Sequence, residues 1–326
     1  MSIVETMGMA AKRQTGAAQA KRDAQSASPL VTVSIIGAGR LGTALALALA
    51  NCGYQIEALV ARTTRSARRA ARLSGTHAIA LSSVQLDQLP PSELLFITTP
   101  DDAIASTAAQ LAATLHEPQR GRTILHASGA LSSDALRDLR DACFATGSLH
   151  PLVSVSEPVQ GAAALSVAFF CVEGERRAVR MARKVVRDLG AQSFSVKAVD
   201  KALYHAAAVM ASGHLVALFD IAAEMLMDCG LTGARARAVL LPLVRSTIEN
   251  LSLHAPAQAL TGTFARADLA TMRRHLAALR ARAGTEALSA YVLLGARSLR
   301  LAGQKGLVDR DRLKEMERVL KSKARR

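Results

Sequence analysis

The stretch VTVSIIGAGRLGTALALALANCG, Val31 to Gly53, restricts the chain to very few folds. Val31 to Ile36 is a mostly β-branched, apolar run, as in a strand buried on both faces. Leu41 to Ala50 is built from alanine and leucine with no breaker and reads as helix. Between them stand Gly37, Gly39 and Gly42, in the spacing G-x-G-x-x-G. Strand, glycine turn and helix, in that order, form the setting in which this spacing holds a dinucleotide. Gly37 permits the tight turn, Gly39 lets the backbone approach a pyrophosphate, and Gly42 lets helix and strand pack closely. The helix start at Arg40 and Leu41 offers free N–H groups and a positive dipole end to the phosphates.

Downstream, apolar strand-like runs alternate with helical ones. YQIEALVAR is a second strand, followed by an arginine-rich helix from Thr64 to about Leu73, and a short strand is expected near His77–Ala80. ELLFITTPDDAI, GRTILHASGAL, CFATGSLHPL, SVAFFCVEG, a helix from Glu175 to Leu189, and QSFSV continue the pattern. This alternation predicts an α/β, Rossmann-type, doubly wound and mostly parallel sheet with helices on both faces. From residue 198 the pattern turns all-helical. DKALYHAAAVMASGHLVALFDIAAEMLMDCG reads as one long, nearly uncharged helix, which must be buried on all sides. Its cover is either a second subunit or the later helices, expected at about 232–253, 266–282, 285–303 and 308–325. The expected division is a disordered extension over 1–29, a dinucleotide-binding domain over 30–197, and an all-helical substrate and dimerisation domain over 198–326.

Composition narrows the function classes. Lys and Arg outnumber Asp and Glu, 41 to 26, a formal charge of +15. Aromatics are only 3% and Trp is absent, so stacking platforms for single strands are scarce, and no zinc-finger spacing is present. Nucleic acid is therefore not expected as a partner, and the arginines from Arg176 to Arg187 read as a solvated helix face. Cys52, Cys143, Cys171 and Cys229 form no C-x-x-C and read as small buried hydrophobes in a reducing, cytoplasmic compartment, with no metal. No uncharged run of spanning length predicts a membrane segment.

The end of the second strand selects the dinucleotide. An NAD site places an acid there to bind the ribose 2′-OH. Here the chain reads VARTTRSARR, so Arg62, Thr63 and Arg65 stand where the acid would be, and they suit the 2′-phosphate of NADP. Glu57 comes too early in the strand to reach the ribose.

Ligands in such folds sit beyond the carboxyl ends of the strands. Thr99 and Pro100 follow one strand and Ser128 the next; all three are expected against the cofactor. Asp101 is read as a helix-start acid and His126 as a core histidine. His150 leaves the sheet as either a structural corner or a substrate contact. Lys201 and His205 lie four apart on one helix face, with Ser212 seven residues further on about the same side. That polar face on an apolar helix is the expected catalytic face, Lys201 or His205 donating a proton and Ser212 positioning substrate. Arg266 is expected to clamp a substrate carboxylate, unless it pairs with Asp268 at a helix start.

IIGAGRLGTALA, ITTPDDAI, ILHASGAL, GSLHPL, ALYHAAAVMASGHLVALFD and LTGTFARAD, in this order, resemble a bacterial family that pairs a Rossmann-like domain with a helical C-terminal domain of unknown function. The family is similar in architecture to pyrroline-5-carboxylate reductase, prephenate dehydrogenase and ketopantoate reductase. The resemblance spans about Val31 to Arg282 and implies NADP binding and a homodimer formed through the helical domain. The family often carries Asn where this chain has Gly213, Pro where it has Thr263, and Gly where it has Ala267. The expected activity is hydride transfer between NADPH and a small carboxylate-bearing carbonyl or imine, with a 2-oxo acid of the ketopantoate type favoured over a pyrroline-carboxylate-type imine. The rival class is a non-catalytic NADP-binding sensor or regulator.

Overall fold

The computed structural model describes residues 31–323. The expected N-terminal extension and the last three residues lie outside that range. The chain forms two compact units, one up to Ala208 and one from Val209.

The first unit is built on β1 (Thr32–Ile36), α1 (Arg40–Asn51), β2 (Gln55–Ala61), α2 (Thr64–Ser74), β3 (Ile79–Ser82), β4 (Leu94–Ile97), α3 (Asp101–Ala113), β5 (Thr123–His126), α4 (Arg137–Asp141), β6 (Ala145–Pro151), α5 (Pro158–Leu165), β7 (Phe169–Gly174), α6 (Arg176–Asp188) and β8 (Gln192–Phe194). The strands form one sheet in the order β3-β2-β1-β4-β5-β6-β7-β8, parallel except where β7 runs against β6. All four residues of β4 and of β5 are buried, as strands in the middle of a sheet covered by helices on both faces must be. Side-chain alternation divides them between the two faces. Leu94 and Phe96 join the core that includes Leu45, Leu49 and Val185, while Leu95 and Ile97 join that of Ile104, Leu111 and Leu139.

The expected long helix over residues 200–230 is two helices, α7 (Lys201–Ala211) and α8 (Gly213–Asp228). Ser212, with φ −121° and ψ −78°, leaves helical geometry between them. The stretch Ala198–Asp228 is apolar and long enough to cross a membrane by length and composition. Its two helices have 11 and 16 residues, and each falls short of the roughly 20 that a spanning helix needs. The break also cancels the expected seven-residue alignment of Ser212 with His205. The start of α7 packs on the sheet, so the first unit runs past residue 197 to Ala208.

The helical unit continues with α9 (Gly233–Leu253), α10 (Pro256–Ala259), α11 (Gly262–Ala265), α12 (Leu269–Arg282), α13 (Thr285–Lys305) and α14 (Arg310–Lys323). Its core is Ala267, Met272, Leu276, Leu299, Met316 and Leu320. Burial of α8 by the chain's own later helices is not what the fold delivers. Ala223 is its only buried residue, and α9 buries only Ala236. The expectation of four buried cysteines also fails. Cys171 is buried in β7, whereas Cys52, Cys143 and Cys229 are exposed, because they stand where helices end and the chain turns over the surface.

Candidate active site

The strand order reverses between β1 and β4, and the crevice outside their carboxyl ends is where such sheets bind ligands. A cleft of about 860 Å³ lies there, lined by Gly37, Gly39, Arg40, Arg62 and Thr98 to Pro100 among others. The three glycines divide the labour as their spacing requires. Gly37 has φ +107°, and a Cβ on it would meet Thr99 N at 2.6 Å. A Cβ on Gly42 would meet Gly37 O at 2.4 Å and Thr98 Oγ1 at 2.6 Å. Gly39, by contrast, faces space, its nearest neighbour being Gly37 O at 3.9 Å. Val60 O accepts from both Gly37 N (2.9 Å) and Ala38 N (2.8 Å), which pins the turn to β2. No side chain caps α1, and its first turn holds no acid, so its leading N–H groups point unpaired toward the cleft.

These residues fit a dinucleotide. Thr99 Oγ1 is buried with no hydrogen-bond partner, a polar atom left for something that enters the cleft. Of the predicted 2′-phosphate ligands, Arg62 lines the cleft. Thr63 instead caps α2, its hydroxyl accepting from Ser66 N at 3.2 Å, and Arg65 is outside the lining. Ser66 and Arg69 are there in its place. Sequence reasoning missed both, although Ser66 and Arg69 are three apart and therefore on one face of the first turns of α2. The Leu41 side chain is also outside the lining; its place in the first turn of α1 leaves its N–H to contribute. Glu57 accepts from Ser92 Oγ (2.9 Å), before β4 begins and away from the cleft.

Ser128 does not line the cleft. Its hydroxyl donates to Asp101 Oδ2 (2.8 Å) and accepts from Ala130 N and Leu131 N, which consumes it in shaping the turn after β5. That bond nevertheless joins the cleft wall at Pro100–Asp101 to a polar cluster beyond β5 and β6. Lys201 is fully buried there, donating to Ser128 O at 3.1 Å and to Ser148 Oγ. Burial holds its ammonium pKa below the usual lysine value, against the attraction of Cys171, Glu173 and Asp101. Lys201 thus ties the two strand ends together from a fully buried position.

His150 and His205 close over Gly129. A Cβ on that glycine would meet His205 Cδ2 at 2.5 Å and His150 Cε1 at 2.8 Å. The two rings stand edge to face, 5.5 Å between centroids. His150 Nδ1 shares a 2.6 Å hydrogen bond with Tyr204 Oη, and Tyr204 packs on Phe194. Burial, then His205 and Lys201, lower the His150 pKa to about 4. Burial also raises the Tyr204 pKa well above the ordinary phenol value. Tyr204 was not a predicted site residue; its position three after Lys201 was the available signal. His126 is a satisfied core histidine, bonded to Ser132 O (3.0 Å) and Ser128 N (3.2 Å).

Ser212 and Arg266 belong to the helical unit. Arg266 is exposed and lines a separate cavity of about 610 Å³ with Lys305, Asp309 and Arg312. Asp268, its alternative partner, caps α12 by accepting from Thr271 N at 3.0 Å. Among the described residues no three His, Cys, Asp or Glu side chains gather as metal ligands.

Two family profiles match the chain. Residues 17–151 match a Rossmann-like domain, and residues 168–298 match a domain of unknown function, DUF2520. No curated protein matches. Among solved structures, one described as an NADP oxidoreductase from Bacteroides fragilis superposes with a TM-score of 0.67 at 22% identity, covering 83% of this chain and 98% of its own. A Thermotoga maritima protein gives 0.64 at 21%, covering 84% and 99%. The reductive aminase from Aspergillus terreus, solved with NADPH and ethyl levulinate, gives 0.58 at 16%, covering 86% and 100%. At these identities the likeness establishes the fold.

Proposed function

With a Rossmann-like domain joined to a DUF2520 domain as the premise, we propose that this chain is an NADP-dependent oxidoreductase. In this reading it moves hydride between NADPH and the carbonyl or imine carbon of a small, carboxylate-bearing compound, a 2-oxo acid first. One observation carries the reading. The Asp101–Ser128 hydrogen bond ties the turn after β4, whose Thr98, Thr99 and Pro100 line the cleft, to the turn after β5 that carries Gly129 and meets the imidazole pair. In this reading the dinucleotide site and the proton-transfer site occupy the carboxyl ends of neighbouring strands of one sheet.

Bound NADPH supplies the hydride. The α1 N-terminus and Gly39 hold the pyrophosphate, and Arg62, Ser66 and Arg69 offer cations and a hydroxyl to a 2′-phosphate. His205 is half-buried beside Gly129 and delivers the proton that the substrate heteroatom gains. His150 is uncharged at pH 7 and, with Tyr204, fixes the His205 ring. Lys201 acts as a positioning residue. The reductive aminase was solved with NADPH and an oxo compound, which supports this pairing of cofactor and substrate class. The exposed apolar side chains of α8 and α9 are assigned to a second copy of the chain, and the exposed thiols suit a reducing, cytoplasmic compartment.

The test is consumption of NADPH, followed by nicotinamide absorbance, across panels of 2-oxo acids and cyclic imines. Turnover on either panel, faster with NADPH than with NADH, is expected. Tight NADPH binding with no turnover on both panels would make the chain a non-catalytic NADP-binding protein and overturn the proposal.

A further inference from the structure

At the opposite end of the same sheet, five arginines surround one open cavity of about 810 Å³: Arg122, Arg140, Arg176, Arg177 and Arg180. The cavity lies where β5 and β6 begin, and β7 brings the start of α6 to the same edge by running antiparallel to β6. It therefore stands apart from the cleft at the carboxyl ends of β1 and β4. Glu175 is the one carboxylate in its lining, and that group is already engaged, accepting from Thr146 N at 2.7 Å and Thr146 Oγ1 at 3.2 Å.

Structure accounts for only part of the positive charge. Arg122 donates to Ser92 O at 2.7 Å and lies over the Phe144 ring, 5.1 Å from its centroid. Arg140 pairs with Asp134, and Arg177 donates to Gly121 O. Arg176 and Arg180 are exposed and form no ion pair among the described residues. Arg176 and Arg177 also open α6, whose first turn holds no acid. Cations belong at the other end of a helix, where the dipole is negative; at this end they oppose it. A sequence selected for stability alone would not concentrate them there. An anion in the cavity would reverse the sign of every one of these interactions, meeting guanidinium forks and the free N–H groups of α6 together.

We propose that this pocket is a second anion site, taking a small phosphorylated ligand with at least two phosphate groups' worth of charge. The cavity's volume suits a nucleotide-sized molecule, and the spread of arginines over two strand starts and a helix start suits a branched or multiply charged anion better than a single carboxylate. The low aromatic content argues against stacked nucleic-acid bases at this surface.

The probe is inorganic pyrophosphate, titrated by calorimetry at constant ionic strength into three forms of the full chain. These are the wild type, Arg176→Gln/Arg180→Gln, and Arg62→Gln/Arg69→Gln. The pocket pair should weaken binding by at least about tenfold per arginine, the usual weight of a charge-assisted hydrogen bond. The cleft pair should leave a binding event that the pocket pair abolishes. Both substituted pairs are exposed, and circular dichroism checks that each variant folds. The proposal is overturned if the wild type shows no saturable pyrophosphate binding, or if loss occurs only in the cleft pair. It is equally overturned if a short DNA duplex binds more tightly than pyrophosphate and loses that binding in the pocket pair, which would make the patch a nucleic-acid surface.

Discussion

At the residue scale, open space separates a functional glycine from a structural one. Gly39 has φ −79° and a free Cβ direction, so Gly39→Asp should fold normally, yet repel a pyrophosphate and lose NADPH binding. NADPH fluorescence titration checks this; unchanged affinity would remove the cleft assignment. Gly37→Ala and Gly42→Ala would instead clash with backbone and report only on folding. Among the described residues, two that are not glycine adopt left-handed backbone, Cys143 at φ 69° and Ala267 at φ 48°. Cys143 is exposed, so Cys143→Gly should stabilise the protein by about 1 kcal/mol, read as a higher urea midpoint. Ala267 is fully buried, and Ala267→Gly gives back about 0.8 kcal/mol of methyl burial, leaving a change near zero. The glycine that the resembling family often has at position 267 thus matches the backbone, while alanine fills the core. A gain at Ala267 as large as that at Cys143 would contradict this balance.

At the element scale, the start of α7 and the ends of β5 and β6 act as one unit. His205→Ala should lower kcat by about 10²-fold or more and leave NADPH affinity unchanged, the mark of a lost proton donor. Lys201→Met should lower kcat less and shift the urea midpoint as well, because Ser128 O and Ser148 Oγ lose their shared donor. Equal turnover in both variants would move the chemistry elsewhere. The buried histidines make stability depend on pH. His126 and His150 have pKa values near 4 in the fold against 6.5 when free, burial being the main cause. Between those values the unfolded chain binds more protons than the folded one. Stability is therefore present above pH 6.5 and lost as pH falls toward 4, by up to about 1.4 kcal/mol per pH unit for each histidine. Urea midpoints across this window should fall with pH, less steeply in His126→Asn; a flat wild-type profile would contradict the assignment.

At the scale of the whole molecule, the helical unit is short of interior. Among the described residues its one core cluster is built on Ala267, Met272, Leu276, Leu299, Met316 and Leu320, while Val216, Leu218, Leu243 and Ile248 remain 40–69% exposed on α8 and α9. Apolar surface on that scale marks an interface, and the proposed occupant is a second copy of the chain. Light scattering should return twice the 34.3 kDa chain mass, and Val216→Glu/Leu243→Glu should return the monomer with its secondary structure intact. A monomeric wild type at micromolar concentration would exclude the homodimer. The charge of +15 is also distributed unevenly, with five arginines at one sheet edge. Those on α6 had read as a solvated face, because helical periodicity reveals which side is polar but not what stands opposite it.

What the sequence determined alone is whatever a few consecutive residues can encode. The apolar run of β1, the three glycines and the alanine-rich α1 each follow from local sterics and burial pattern, and together they specify the doubly wound sheet and its cofactor crevice. Helix limits were legible for the same reason: Thr63 and Gly75 punctuate α2 within a residue or two of the expected ends. The polar cluster beyond β5 and β6 was legible only as a set of residue types. Its members come from the turn at Gly129, the strand β6 at His150 and the helix α7 at His205, and Lys201 finds its partners 53 and 73 positions away. No local rule buries a lysine, since a charge leaves water only where distant backbone and hydroxyl groups are assembled to receive it. The tertiary structure alone decided that Lys201 is enclosed while His205 stays accessible. It alone decided that Ser212 breaks a helix that its own apolar composition would have continued.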